Sequence, residues 1–173
     1  RTGVTAVLSD ASEGGELPNR LFAGAHVFSA TGELTGLRAL DELGFIESPV
    51  VFTNTLAVAT ARRAVQRYLV GRYPTLGTTA DALLPVVGEC DDSYLNDLLG
   101  MHSREEHVRQ ASEGARNGPI EEGSVGAGTG MTSFGFKAGI GTASRRLPGI
   151  EGGHTLGCLV VANVGQRRRL TVD

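Results

Sequence analysis

A layered α/β (α+β) protein, with helices covering a mixed or antiparallel sheet, follows from three observations. Segments of helical period lie in the first half of the chain, and strand-length apolar runs dominate the second. The 173 residues are 40% hydrophobic, enough to bury one real core without asking for a second domain. Residues 122–146 are dense in glycine yet carry Val125, Met131, Phe134, Phe136 and Ile140, so they form a packing surface and not a linker.

In order, residues 3–9 read as a short strand, residues 10–19 as a polar loop, and residues 21–30 as a second strand. Thr31, Gly32 and Glu33 make a turn. Leu37, Leu40 and Leu43 then give a short amphipathic helix closed by Gly44. Residues 49–53 form an apolar strand, and Thr53, Asn54 and Thr55 supply N-cap candidates for a longer helix whose apolar face is Leu56, Val58, Ala61, Val65, Tyr68 and Leu69. After a loop over residues 71–81, residues 83–88 are a buried strand that runs into Glu89, Cys90, Asp91 and Asp92. Ser103 and Glu106 have capping-box spacing, predicting a helix over residues 104–117 before Gly118 and Pro119. Residues 154–162 are an apolar strand ending in Asn163, and residues 170–172 a last one behind the basic turn 166–169.

The glycine-rich stretch predicts two strands flanking a site, with another chain segment or a ligand lying close against them. It does not predict phosphate binding. Gly126, Gly128 and Gly130 are spaced GxGxG, which is not the dinucleotide pattern, and neither a P-loop Lys-Ser or Lys-Thr pair nor helical periodicity follows.

A net charge of −3 lacks the basic excess that nucleic acid or an anionic membrane surface favours. No apolar run is of membrane-spanning length, so the expectation is a soluble protein, with cytoplasm and periplasm both open. Cys90 and Cys158 are two, far apart and outside CxxC spacing, and read as buried small apolar residues. His102 and His107 are spaced wrongly for metal ligands on one helix face, and no metal or cofactor is expected. The start at Arg1, close to the first strand, and the abrupt stop at Asp173 read as the ends of a truncated or processed chain.

Two residues carry candidate chemistry. Asn163 ends an apolar strand, where a carboxamide either aims its NH₂ at a developing oxyanion or caps a turn. Glu89, at the end of another apolar strand, either binds a substrate ammonium, acts as an acid or base, or is a solvated loop acid. His26 and His154 are placed on strands and read as structural, and Arg167, Arg168 and Arg169 as a solvated turn. No GxSxG elbow supplies a nucleophile, and Ser124, in the only Gly-Ser pair, is not a free N-terminus.

Several blocks in sequence order resemble one family: residues 22–27, Thr53-Asn54-Thr55, residues 85–89, Leu95-Asn96-Asp97, Glu122-Gly123 with residues 125–131, residues 136–145, and Ala162-Asn163. They are similar to the serine aminopeptidases that include L-aminopeptidase/D-esterase and beta-peptidyl aminopeptidase. The resemblance implies a four-layer αββα sandwich that resembles N-terminal-nucleophile hydrolases with a different connectivity. It implies a precursor that cuts itself before a serine, with residues 1–173 as a single-domain α chain and the nucleophile on a companion β chain. Asn163 then corresponds to the oxyanion-hole asparagine and Glu89 to the glutamate that holds the free amino group of a small peptide, amide or ester. The implied assembly is a homotetramer of αβ units. Ser124 stands where relatives often carry Asn, and Cys90-Asp91-Asp92-Ser93 replaces an aromatic-containing segment, so pocket shape and substrate preference stay open. An acyltransferase like the ornithine acetyltransferases, started by threonine, and a non-catalytic binding domain are the alternative readings.

Overall fold

Parallel neighbours in a sheet need a crossover connection, and the segment from residue 50 to residue 90 provides one as strand, helix and strand. The computed structural model describes residues 1–8, 16–29 and 31–172. Its elements open with β1 (Thr5–Val7), β2 (Leu21–Phe22), α1 (Leu37–Leu43), β3 (Phe45–Ile46) and β4 (Val50–Asn54). They continue with α2 (Val58–Arg72), β5 (Val86–Cys90), α3 (Glu105–Gly114), β6 (Thr132–Ser133), β7 (Phe136–Lys137), β8 (Ile140–Arg146) and β9 (Thr155–Val161).

β4 and β5 run parallel, with Val50 opposite Val86 and Asn54 opposite Cys90, and β1 lies antiparallel along the other edge of β4. α2 packs on this mixed sheet through Ala61, Val65 and Leu69, against Val51 and Val87, whose side chains are fully enclosed. Val108 brings α3 into the same core. The expected N-cap is Asn54: its Oδ1 accepts the Ala57 N–H at 3.1 Å, opening a 3₁₀ turn that leads into α2, while its Nδ2 donates to the Thr2 hydroxyl at 2.8 Å. α1 also ends as expected, with Gly44 at φ 71° and its N–H donating to Leu40 O. No helix among the described residues is long and apolar enough to cross a membrane.

Other elements differ from expectation for identifiable reasons. The second strand shrinks to β2, paired with β3, because its partner ends there: the Ala23 N–H still donates to Gly44 O at 2.9 Å, but Gly44 is the left-handed cap of α1 and carries the ladder no further. His26 therefore sits in exposed irregular chain, and His154 lies just before β9. Ser103 does not cap α3. Its hydroxyl is buried without a partner, and the Arg104 N–H instead donates to His107 Nδ1 at 3.0 Å, so the helix starts one residue later, at Glu105, and ends at Gly114. No strand forms at residues 170–172, which follow a 3₁₀ turn, Arg167–Arg169. Cys158 is exposed on β9 and not buried. Most of the polar loop expected at residues 10–19 lies outside the described residues, as do Ser9, Ala30 and Asp173.

The glycine-rich stretch is not two strands but a 3₁₀ turn (Gly126–Gly130), the small β6–β7 hairpin, and β8. The close approach it predicted is present. Gly123 and Ile140 exchange main-chain hydrogen bonds at 2.8 and 2.9 Å, and a Cβ on Gly139 would fall 1.9 Å from Gly123 O. Gly126 has φ 48°, and a Cβ there would meet Thr5 Oγ1 at 2.3 Å, so the N-terminal segment is what packs on this turn. Glu122 fastens the other side. Its Oε1 accepts from the Thr142 N–H at 2.7 Å and from the Thr142 hydroxyl, and these bonds hold its carboxyl below the usual range.

Gly139→Ala should lower stability by about 3 kcal/mol, because the contact it would create is with backbone that cannot move aside. A urea midpoint equal to wild type would show that the bridge tolerates a side chain. Cys90 is the second test. Burial, then the charges of Glu89 and Asp92, push its thiol up to about 11. Native protein at pH 8 should hold a thiolate fraction on the order of 10⁻³ there, and iodoacetamide should label Cys90 far faster after denaturation, read by peptide mass spectrometry.

Candidate active site

Glu89 is the fourth residue of β5, opposite Thr53, where the enclosed strand opens toward a loop. Its carboxylate is half-buried and held from two directions: Oε1 accepts the Glu33 N–H at 3.1 Å, and Oε2 accepts the Thr55 hydroxyl. Gly32 lies beside it, and a Cβ there would stand 3.1 Å from Oε1. An ionised carboxylate offers about four lone-pair positions, so two fixed bonds orient the group and leave acceptor capacity for a cation.

Asn163 follows β9, which pairs antiparallel with β8 so that Val161 lies opposite Ile140. The Ala162 N–H donates to Gly139 O at 3.0 Å and ends the ladder there. The Asn163 Nδ2 donates to Asp91 O at 2.9 Å and to Thr132 O at 3.3 Å. The turn after it is stitched to the β6–β7 hairpin. The Phe134 N–H and Ser133 hydroxyl donate to Val164 O at 2.7 and 3.0 Å, and Arg167 lies over the Phe136 ring at 4.1 Å while donating to Gly135 O.

The two candidate residues thus arrive on different sheets and meet at one joint, since the carbonyl that holds Asn163 belongs to Asp91, two residues beyond Glu89. Between them, Cys90 Sγ lies 3.9 Å from Val161 O. Sequence reasoning took Thr55 only as a possible cap and missed its grip on Glu89. It also missed the Asp91 and Thr132 carbonyls, since backbone acceptors leave no mark in residue type. Arg167, read as solvated, is a clamp on the hairpin. The Arg-over-aromatic contact joins residues 31 positions apart, beyond the reach of local pattern. Among the described residues no three His, Cys, Asp or Glu side chains converge as a metal site would require.

Comparison with known proteins identifies the family and the fold. The profile of peptidase family S58 covers residues 1–173. The chain is 42% identical over 173 residues to a beta-peptidyl aminopeptidase of Sphingosinicella microcystinivorans, covering 99% of this chain and 42% of that protein. The solved L-aminopeptidase D-Ala-esterase/amidase from Ochrobactrum anthropi, a prototype for the serine aminopeptidases and a variant among the Ntn hydrolase fold, superposes with a TM-score of 0.90 at 43% identity, covering 99% of this chain and 47% of that one. A Burkholderia sp. beta-aminopeptidase superposes with a TM-score of 0.87 at 42% identity, covering 99% and 47%. The chain therefore spans less than half the length of these relatives. Its mixed α/β architecture is the Ntn-hydrolase-like fold expected from the sequence, and the chain belongs to peptidase family S58.

Proposed function

We propose that residues 1–173 are the single-domain α portion of a self-cutting serine aminopeptidase, which removes N-terminal residues from peptides, amides or esters through an acyl-enzyme. The supporting observation is the joint itself: an oriented carboxylate at Glu89 and an oriented carboxamide at Asn163, tied together through the Asp91 carbonyl. The attacking serine belongs to the portion of the relatives' length that this chain does not span.

In this reading Glu89 accepts the substrate's ammonium on the lone pairs left by Glu33 and Thr55, which places the first carbonyl carbon at a fixed distance from the site. The serine attacks that carbonyl, the leaving amine or alcohol departs, and water then hydrolyses the ester. Asn163 stabilises the tetrahedral oxygen. The Nδ2 reaches two acceptors, Asp91 O at 2.9 Å and Thr132 O at 3.3 Å, and the longer contact is the one that gives way as the NH₂ donates to the oxyanion. A charged oxygen is a stronger acceptor than a neutral carbonyl, which makes the exchange favourable as charge develops.

The companion β portion and assembly into a tetramer of αβ units belong to the same reading. Phe22, Phe28 and Ile150 stand more than nine-tenths exposed, apolar surface of the kind that further protein covers. Intact mass under denaturing conditions should show full-length protein cut in two, with the second piece starting at serine. A threonine start would point to acyl transfer of the ornithine acetyltransferase kind, and an uncut chain that still turns over would sink the self-cutting step.

Asn163→Ala should lower kcat roughly 10²-fold or more with KM little changed, whereas a wild-type kcat would remove it from the reaction. Glu89→Gln should raise KM roughly tenfold or more for substrates with a free amine, the loss of one charge-assisted contact. Equal losses on N-acylated substrates would show that Glu89 does not hold the amine.

A further inference from the structure

We propose that Asp92 is a positioning residue for the Asn163 carboxamide: its packing on Gly130 sets the separation of the two carbonyls that aim the amide. This rests on the reading of Asn163 as the oxyanion donor. Asp92 is only 1% exposed, and it spends that burial poorly as a hydrogen-bonding group. Oδ1 accepts from Asn96 Nδ2 at 3.1 Å, but Oδ2 is buried with no partner. Such a group is costly, and an unpartnered buried oxygen of this kind calls for an explanation in its geometry.

The surroundings show that use. The main-chain carbonyl of Asp92 accepts the Leu95 and Asn96 N–H groups at 3.1 and 3.0 Å, and Asp91 Oδ1 accepts the Ser93 N–H at 2.8 Å, so the turn after β5 is braced throughout. Facing it is Gly130, the last residue of the 3₁₀ turn. A Cβ on Gly130 would stand 2.7 Å from Asp92 Cβ, 3.0 Å from Oδ2 and 2.8 Å from Arg1 O, so the carboxylate rests directly on bare backbone. One residue before Asp92 is the Asp91 carbonyl, and two residues after Gly130 is the Thr132 carbonyl. These are the two acceptors of Asn163 Nδ2. Any change in the Asp92 to Gly130 spacing moves one acceptor relative to the other and tilts the NH₂ plane between them.

The test is a double-mutant cycle in the full-length protein, with kcat and KM measured on one amide substrate. Asp92→Ala and Gly130→Ala should each lower kcat roughly tenfold or more with KM within about twofold, while Asp92→Asn, which keeps the shape, should stay within about threefold of wild type. Neither alanine change should lower kcat further when combined with Asn163→Ala. Gly130→Ala reaches the contact from the other side, so the cycle remains readable if Asp92→Ala folds poorly. Losses that multiply in the double variants, wild-type kcat in both single alanine variants, or an Asp92→Asn loss as deep as Asp92→Ala would each overturn the positioning role while leaving Asn163 in place. Wild-type kcat for Asn163→Ala would overturn both assignments.

Discussion

Nothing projects from the Cα of Gly139, and that bare point lets two main chains touch. Gly123 and Ile140 exchange hydrogen bonds across it, which fixes the start of β8 against the 3₁₀ turn at residues 126–130. The Gly139 carbonyl in turn takes the Ala162 N–H and ends the pairing of β9. The position of Asn163 is therefore inherited from a close backbone approach more than twenty residues earlier. Glycine is required here because any side chain would occupy the volume of the facing carbonyl.

Glu89 reaches the same place by an independent route. The crossover through α2 lets β4 and β5 run parallel, and burial of Val86, Val87 and Gly88 leaves Glu89 as the first side chain of β5 to emerge from the enclosed part of the sheet. The two routes join at the Asn163 amide on Asp91 O, Cys90 Sγ near Val161 O, and Asp92 on Gly130, beside the packing of the N-terminal segment on the 126–130 turn. By contrast, β8 and β9 are exposed along most of both faces. A lone two-stranded ribbon is marginal in water, so this hairpin calls for a further layer, in keeping with a chain less than half as long as its relatives.

Local pattern was a good guide where the controlling interactions are local. α1 and its Gly44 cap, α2 behind Asn54, and the apolar strands β4, β5 and β9 all follow from spacing within a few residues. It failed where a competing partner came from tertiary packing. Ser103 and Glu106 have the right spacing for a cap, yet packing encloses the Ser103 hydroxyl and His107 takes the free N–H. The run from residue 21 had strand composition, but only two residues found a strand partner before the neighbouring chain turned at Gly44. Glycine density announced close approach without saying which chain would approach, and a 3₁₀ turn satisfied it as well as a strand.

The sequence by itself determined the α/β class, the helices, the family blocks, and Glu89 and Asn163 as the residues to watch, because those depend on residue type and short-range order. Only the tertiary structure decided that Thr55 and Glu33 orient the carboxylate, that the amide donates to the Asp91 and Thr132 carbonyls, and that Asp92 lies against Gly130. Those facts are contacts between groups far apart in the chain, several of them main-chain, and a main-chain carbonyl is the same group whatever side chain its residue carries.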